Sequence, residues 1–260
     1  MGWVVKPPSF DASKKYPLIL EIHGGPFGEL QRRRSTTCSR TSRRTASSCS
    51  YTNPRGSTGY GSEFINGIDH NYPGPDYDDL MAGVDAVVGK GYIDTSRMYV
   101  SGCSGGGVLS SWVIGKTDRF AAAAVRCPVI DWIEHGRPDR RAAVHLQLLQ
   151  EAVLGRSVGL ARALVADDGR QGDDADAADD RRARSADADA ADREYYAALK
   201  VKGVPVKLLQ FNEEYHGTGS KPSNYIRTQL YMMSWFNKHA SSGRPGVNER
   251  HSRSPVLSRR

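Results

Sequence analysis

A serine flanked by glycines, a histidine on a polar loop and a glycine pair behind an apolar run are the residues of this chain that could do chemistry together. Ser104 stands in Gly102-Cys103-Ser104-Gly105-Gly106, with the apolar run Met98 to Val100 before it and helical spacing from Val108 to Ile114 after it. Gly-x-Ser-x-Gly between a strand and a helix is the setting of a nucleophile elbow. A chain that reverses from strand to helix within a few residues drives the central residue into a strained conformation. Only glycine at the flanks lets the two segments approach. The hydroxyl then stands at the top of a sheet, where the helix N-terminus points its free N–H groups. A bare five-residue match would be a plain Gly/Ser-rich turn; the flanking strand and helix favour the catalytic reading.

A serine hydroxyl is a poor nucleophile at neutral pH and needs a base. His216 follows the strand-like Val204 to Phe211, lies in the polar loop Asn212 to Gly217, and comes after the serine. That is the chain order Ser…Asp…His of the α/β-hydrolase arrangement. His23 and His70 precede the elbow, His135 and His145 lie in or beside a compositionally odd tract, and His239 and His251 are near the tail. His23-Gly24-Gly25-Pro26 ends the apolar run from Tyr16. Consecutive glycines there either make a strand-ending turn or aim backbone N–H groups at a ligand, as a second oxyanion donor does. A carboxylate between Ser104 and His216 should hold the imidazole tautomer. Asp131 follows a strand but lies close behind the helix of the nucleophile, and the acids from Asp167 to Asp192 follow no strand-like run, so the acid is left unassigned.

The elements that must position these groups read as alternating strands and helices. Trp3 to Lys6 is extended, Tyr16 to His23 a core strand, Tyr51 to Gly61 a turn-rich loop. Tyr77 to Val88 has helical spacing with Asp78 and Asp79 in its first turn. Phe120 to Val125 reads as a strand closed by Cys127-Pro128. Glu194 to Leu199 is helical, and a last helix from Ser223 to His239 sets Ile226, Leu230, Met233 and Phe236 on one face.

At 260 residues the chain suits one large α/β domain, or at most two small ones. The net charge of +7 invites a nucleic-acid partner. The excess sits in Arg32 to Arg44 and after Gly243, with no interleaved aromatics to stack bases, so no specific nucleic-acid function is expected. Cys38, Cys49, Cys103 and Cys127 show neither C-x-x-C nor metal-ligand spacing, and no disulfide framework, metal or cofactor is expected. Cys103 reads as a small buried residue. No signal peptide or membrane-spanning run is read, which gives a soluble, by default cytoplasmic chain.

Two tracts break the pattern. In Gln31 to Ser50, sixteen of twenty residues are Arg, Ser or Thr; in Ala161 to Arg193, 27 of 33 are Ala, Asp or Arg. Segments 31–50 and 134–193 are therefore expected to be aberrant or disordered, although Val144 to Val165 keeps some helical periodicity. Their abrupt edges read as a shifted and later restored reading frame. Residues 1–240 form the expected domain, and 241–260 a disordered basic tail.

Taken jointly, Trp3 to Pro8, Pro17 to Pro26, Asn53 to Gly61, Asp78 to Met81, the Gly102 to Gly107 elbow, Tyr215-His216-Gly217, Lys221 to Asn224 and Trp235-Phe236 resemble the catalytic domain of the prolyl oligopeptidase (S9) family, near its dipeptidyl-peptidase and acylaminoacyl-peptidase branches. The resemblance covers roughly 60% of the chain. It implies an α/β-hydrolase fold, a mostly parallel sheet with helices on both faces. It implies a serine-type peptidase that cleaves oligopeptides through an acyl-enzyme on Ser104, with His216 as general base and oxyanion donation from the N–H groups of Gly25 and Gly105. The acid of the family would fall near Arg184, where no aspartate matches; Asp187 and Asp189 are near only by count. The alternatives are a catalytically incompetent relative lacking the acid and the propeller that precedes this domain in the family, and a carboxylesterase.

Overall fold

The computed structural model describes residues 1–30, 38, 42, 46–128, 162–167, 193–211, 214 and 216–240, with 162–167 as backbone alone. Expectations for Asp131, Arg184, Asp187, Asp189, Tyr215 and the tail 241–260 lie outside the described residues, as do those for most of the two odd tracts. The strands are β1 (Gly2–Val5), β2 (Tyr16–Ile22), β3 (Ser48–Thr52), β4 (Ile93–Ser104), β5 (Ala122–Pro128), β6 (Arg162–Asp167) and β7 (Val206–Gln210). They form one seven-stranded sheet in the order β1-β3-β2-β4-β5-β6-β7. Only the edge pair β1–β3 is antiparallel; every other pair is parallel.

Helices cover both faces, as parallel strands require. On one face, α2 (Pro75–Val88), α3 (Gly105–Lys116) and α4 (residues 193–201) pack on Leu18, Leu20 and Ile22 of β2 and Met98 and Val100 of β4. On the other, α5 (Pro222–Lys238) lays Met232, Trp235 and Phe236 on Ile19, Tyr99, Ala122 and Ala124. The alternation along β2 and β4 is what sends Leu18 one way and Ile19 the other. Helix α3 is the most enclosed: Val108, Leu109, Trp112, Val113 and Ile114 are each 5% exposed or less. Burying side chains of this kind contributes roughly 1.5–3 kcal/mol apiece, which anchors the helix that starts at the elbow.

Several expectations are corrected. The short helix α1 (Ser62–Asn66) inside the Asn53-to-Pro75 connection was not foreseen. Ile226 and Leu230 of α5 face outward at 50% and 48% exposure, while Met233 and Phe236 are buried. The buried face of α5 also holds Asn224, Thr228 and Gln229, and periodicity of apolar residues cannot see a polar inward stripe. Parts of both odd tracts are ordered strand: Ser48–Thr52 pairs with β1 and β2, and Arg162–Asp167 with β5 and β7. Ladder hydrogen bonds come from the backbone, and neither stretch contains a proline to interrupt them. The cysteines are also paired. Cys38 bonds Cys49, and Cys103 bonds Cys127. Spacing along the chain gave no sign of the second pair, because adjacency of β4 and β5 is what brings its Cα atoms to 5.3 Å. Among the described residues no helix is long and apolar enough to cross a membrane.

Candidate active site

Strand β4 ends at Ser104, which also caps α3, and the backbone there has φ +60° and ψ −122°. Such a conformation costs a non-glycine residue roughly 1–3 kcal/mol and persists only where its surroundings enforce it. The enforcement is close packing. A Cβ on Gly102 would strike the Gly106 backbone, and one on Gly106 the carbonyl of Ile22. Strand β2, strand β4 and helix α3 therefore meet at backbone distance.

The loop after β2 completes the cradle. Gly25 has φ +139°, and a Cβ on Gly105 would lie 2.5 Å from the Gly25 oxygen and 2.9 Å from its nitrogen. A Cβ on Gly24 would sit 3.4 Å from Ser104 Cβ and 4.0 Å from its Oγ. Gly25, Gly105 and Ser104, picked out separately in the sequence, are thus brought together. Tyr72 donates its hydroxyl to the Gly105 carbonyl at 3.1 Å, and burial pushes that phenol well up from its ordinary value.

His23 props the loop rather than reaching the serine. Its Nδ1 lies 2.8 Å from the Gly24 carbonyl and its Nε2 3.0 Å from Ser57 Oγ. Burial lowers its pKa, against the pull of the Gly24 hydrogen bond and Glu29. The carbonyl can only accept, so the proton of a neutral ring belongs on Nδ1. The Ser57 hydroxyl is also 2.6 Å from Pro54 O and shares its one proton between the two acceptors. Beneath the elbow, Arg126 of β5 donates to Glu21 of β2, and its Nε to Ser101 Oγ of β4 at 3.1 Å. Burial pushes the Glu21 carboxyl up, opposed by Arg126.

His216 is exposed on the loop between β7 and α5. Gly217, the next residue, has φ +102°, and a Cβ there would be 4.0 Å from Cys103 Sγ. The loop of the histidine thus lies near the residue preceding the serine. Glu214, 2% exposed, organises this loop. It accepts hydrogen bonds from the N–H groups of Ser220 at 3.0 Å and Lys221 at 3.2 Å, and from Asn224 Nδ2 at 2.7 Å. Thr228 Oγ1 and Thr218 Oγ1, 2.7 Å apart, close it on α5.

No acid is assigned in the sequence, yet β6 ends at Asp167, in register with Gln210 at the end of β7. Both strands run parallel to β4, so their ends share the sheet edge that carries Ser104. A cleft of about 970 Å³ lies elsewhere, lined by Trp3, Thr52, Arg55, Phe64 and Asp79 among others, and includes none of these residues.

A mostly parallel sheet with a strained serine between its central strand and a buried helix defines an α/β-hydrolase domain. Solved structures agree: the chain superposes over 95% of its length on acylaminoacyl peptidase of Pyrococcus horikoshii (TM-score 0.74, 20% identity, 40% of that chain). The likeness to a puromycin-hydrolyzing peptidase of Mycobacterium tuberculosis is similar (TM-score 0.75, 20% identity, 95% of this chain and 39% of that one). Residues 47–141 match the profile of the prolyl oligopeptidase family. The chain is 30% identical over 262 positions to the uncharacterized peptidase YuxL of Bacillus subtilis, spanning 92% of this chain and 37% of that protein. It is 38% identical over 116 positions to dipeptidyl-peptidase 5 of Schizosaccharomyces pombe, 44% of this chain and 17% of that one. The chain belongs to the prolyl oligopeptidase (S9) family of peptidases. It spans well under half the length of these relatives.

Proposed function

We propose that residues 1–240 act as a serine-type peptidase unit on oligopeptides, through an acyl-enzyme on Ser104. His216 takes the Oγ proton as Oγ attacks the scissile carbonyl carbon. The carbonyl electron pair moves to its oxygen, which the N–H groups of Gly25 and Gly105 stabilise. Collapse expels the amine, which receives the proton from His216, and a water deprotonated by the same ring then hydrolyses the ester. The acid in this reading is Asp167, taken from its backbone position at the end of β6. The observation that carries the proposal is the left-handed Ser104, enclosed by the Gly24-Gly25 loop.

The test is labelling of Ser104 by a fluorophosphonate, together with turnover of short peptide amides and p-nitrophenyl esters. His216→Ala is expected to lower kcat about a millionfold and Asp167→Asn about ten-thousandfold, the scale for such residues in other serine peptidases. Unchanged kcat in Asp167→Asn removes the acid from that position. A folded chain that never labels favours the non-catalytic relative. Turnover of esters with none of amides, in wild type, favours the carboxylesterase.

A further inference from the structure

The Cys103–Cys127 disulfide ties three parts of the candidate site together. Cys103 immediately precedes Ser104 on β4, and Cys127 lies where the register of β5 slips: Cys103 faces Arg126, while Ser104 faces Pro128. Cys127 itself has φ +37°, a left-handed backbone for a non-glycine residue. Its flanks support the elbow, since a Cβ on Gly107 would lie 2.5 Å from Arg126 O and 2.9 Å from Pro128 Cα. The third part is the loop of His216, where a Cβ on Gly217 would lie 4.0 Å from Cys103 Sγ. Cys103 is half-buried, whereas Cys127 is 4% exposed.

We propose that Cys103–Cys127 is a thiol-exchange site whose oxidation state sets the reactivity of Ser104; this rests on Ser104 being the nucleophile. The ligand class is a dithiol reductant, small molecule or protein. Its thiolate attacks the more accessible Cys103 Sγ, the S–S bond breaks, and Cys127 leaves as a thiolate that takes a proton. The second thiol of the reductant then attacks its own sulfur in the mixed disulfide, releasing Cys103. Two electrons and two protons pass to the protein, and the reductant becomes a disulfide. Once the bond is open, Cys127 is free to leave its left-handed conformation, and the Arg126–Pro128 support of α3 and the packing under Gly217 loosen together. Oxidised protein is the reactive form.

The full chain, equilibrated at graded ratios of reduced to oxidised dithiothreitol, tests this with two readouts. Iodoacetamide trapping with mass spectrometry reads which cysteines open in the native fold, and the rate of fluorophosphonate labelling reads Ser104. Cys103 and Cys127 are expected to trap in the folded protein as labelling falls about tenfold, reversibly on reoxidation. Cys127→Ser should sit at the reduced rate at every ratio, and a Cys38→Ser/Cys49→Ser double variant should keep the response. Should Cys127→Ser fail to fold, the wild-type titration decides alone. Unchanged labelling with both cysteines trapped overturns the switch, as does trapping only after denaturation. Absence of labelling at every ratio overturns the catalytic reading as well, which separates the two failures.

Discussion

Glu214 determines where the histidine loop sits, and it does so with one carboxylate. Burial raises its pKa, but the hydrogen bonds from Asn224, Ser220 and Lys221 outweigh that and hold it below the ordinary 4.5. Lowered on folding, it stabilises the loop fully above that value and stops doing so as pH falls through its folded pKa. Glu214→Gln replaces one acceptor oxygen by a donor that faces an N–H group. We expect kcat to fall about 10- to 100-fold with little change in KM, the scale of an ångström of misplacement at a catalytic group. Steady-state kinetics of the variant check this; a rise in KM at constant kcat would mean that the loop binds substrate instead. The strand–serine–helix turn at Ser104 and the loop that holds His216 were legible because their signal is local: glycine spacing, strand before, polar loop after. Glu214 was not, since its partners lie six, seven and ten residues on, and a loop carboxylate reads as solvated. Glu21 and Arg126 are harder still, being 105 residues apart and joined only by the sheet.

Among the elements, α2 contributes a pH-dependent share of the stability. Its Asp76 is 1% exposed, and burial pushes its carboxyl from 3.8 to about 6, against hydrogen bonds from the N–H groups of Gly74 and Tyr77. The folded state therefore holds this proton more tightly than the unfolded one. The contribution of Asp76 to stability should fall as pH rises from about 4 to about 6, by on the order of 3 kcal/mol, and level off above. Asp76→Asn should remove that slope, so that its advantage over wild type in urea unfolding grows between these pH values; parallel profiles would assign the slope elsewhere. The same helix shows how separate motifs become one contact. Arg55, from the Asn53-to-Gly61 stretch, grips Asp79 through Nε at 2.8 Å, Nη2 at 2.6 Å and its own backbone N–H at 2.9 Å. Two stretches read independently are thus a single bidentate clamp. Helix and strand order along β2, α2, β4 and α3 was legible from periodicity. Strand β6 was not, because nothing in Ala/Asp/Arg composition signals a strand, and it exists through its neighbours.

At the level of the whole molecule, a complete sheet coexists with two tracts whose composition does not belong to a sheet. The motifs that carry the family resemblance fall in 1–30, 51–128 and 193–240, although the family profile itself matches 47–141, while Arg/Ser/Thr residues crowd 31–50 and Ala/Asp/Arg residues crowd 161–193. In a central parallel strand both faces meet helices, and such strands ordinarily read as near-continuous apolar runs, as β2 does. Composition that changes abruptly at the edges of each tract is what translation in a shifted frame produces. Sequencing the coding DNA should find compensating insertions or deletions at the edges of both tracts. A chain rebuilt in the restored frame should gain apolar burial, and its thermal midpoint should rise by more than about 5 °C, since a single kilocalorie shifts a domain of this size by about 2–4 °C. If the coding sequence runs through both tracts in one frame, or the rebuilt chain melts no higher, these tracts belong to the protein as it evolved.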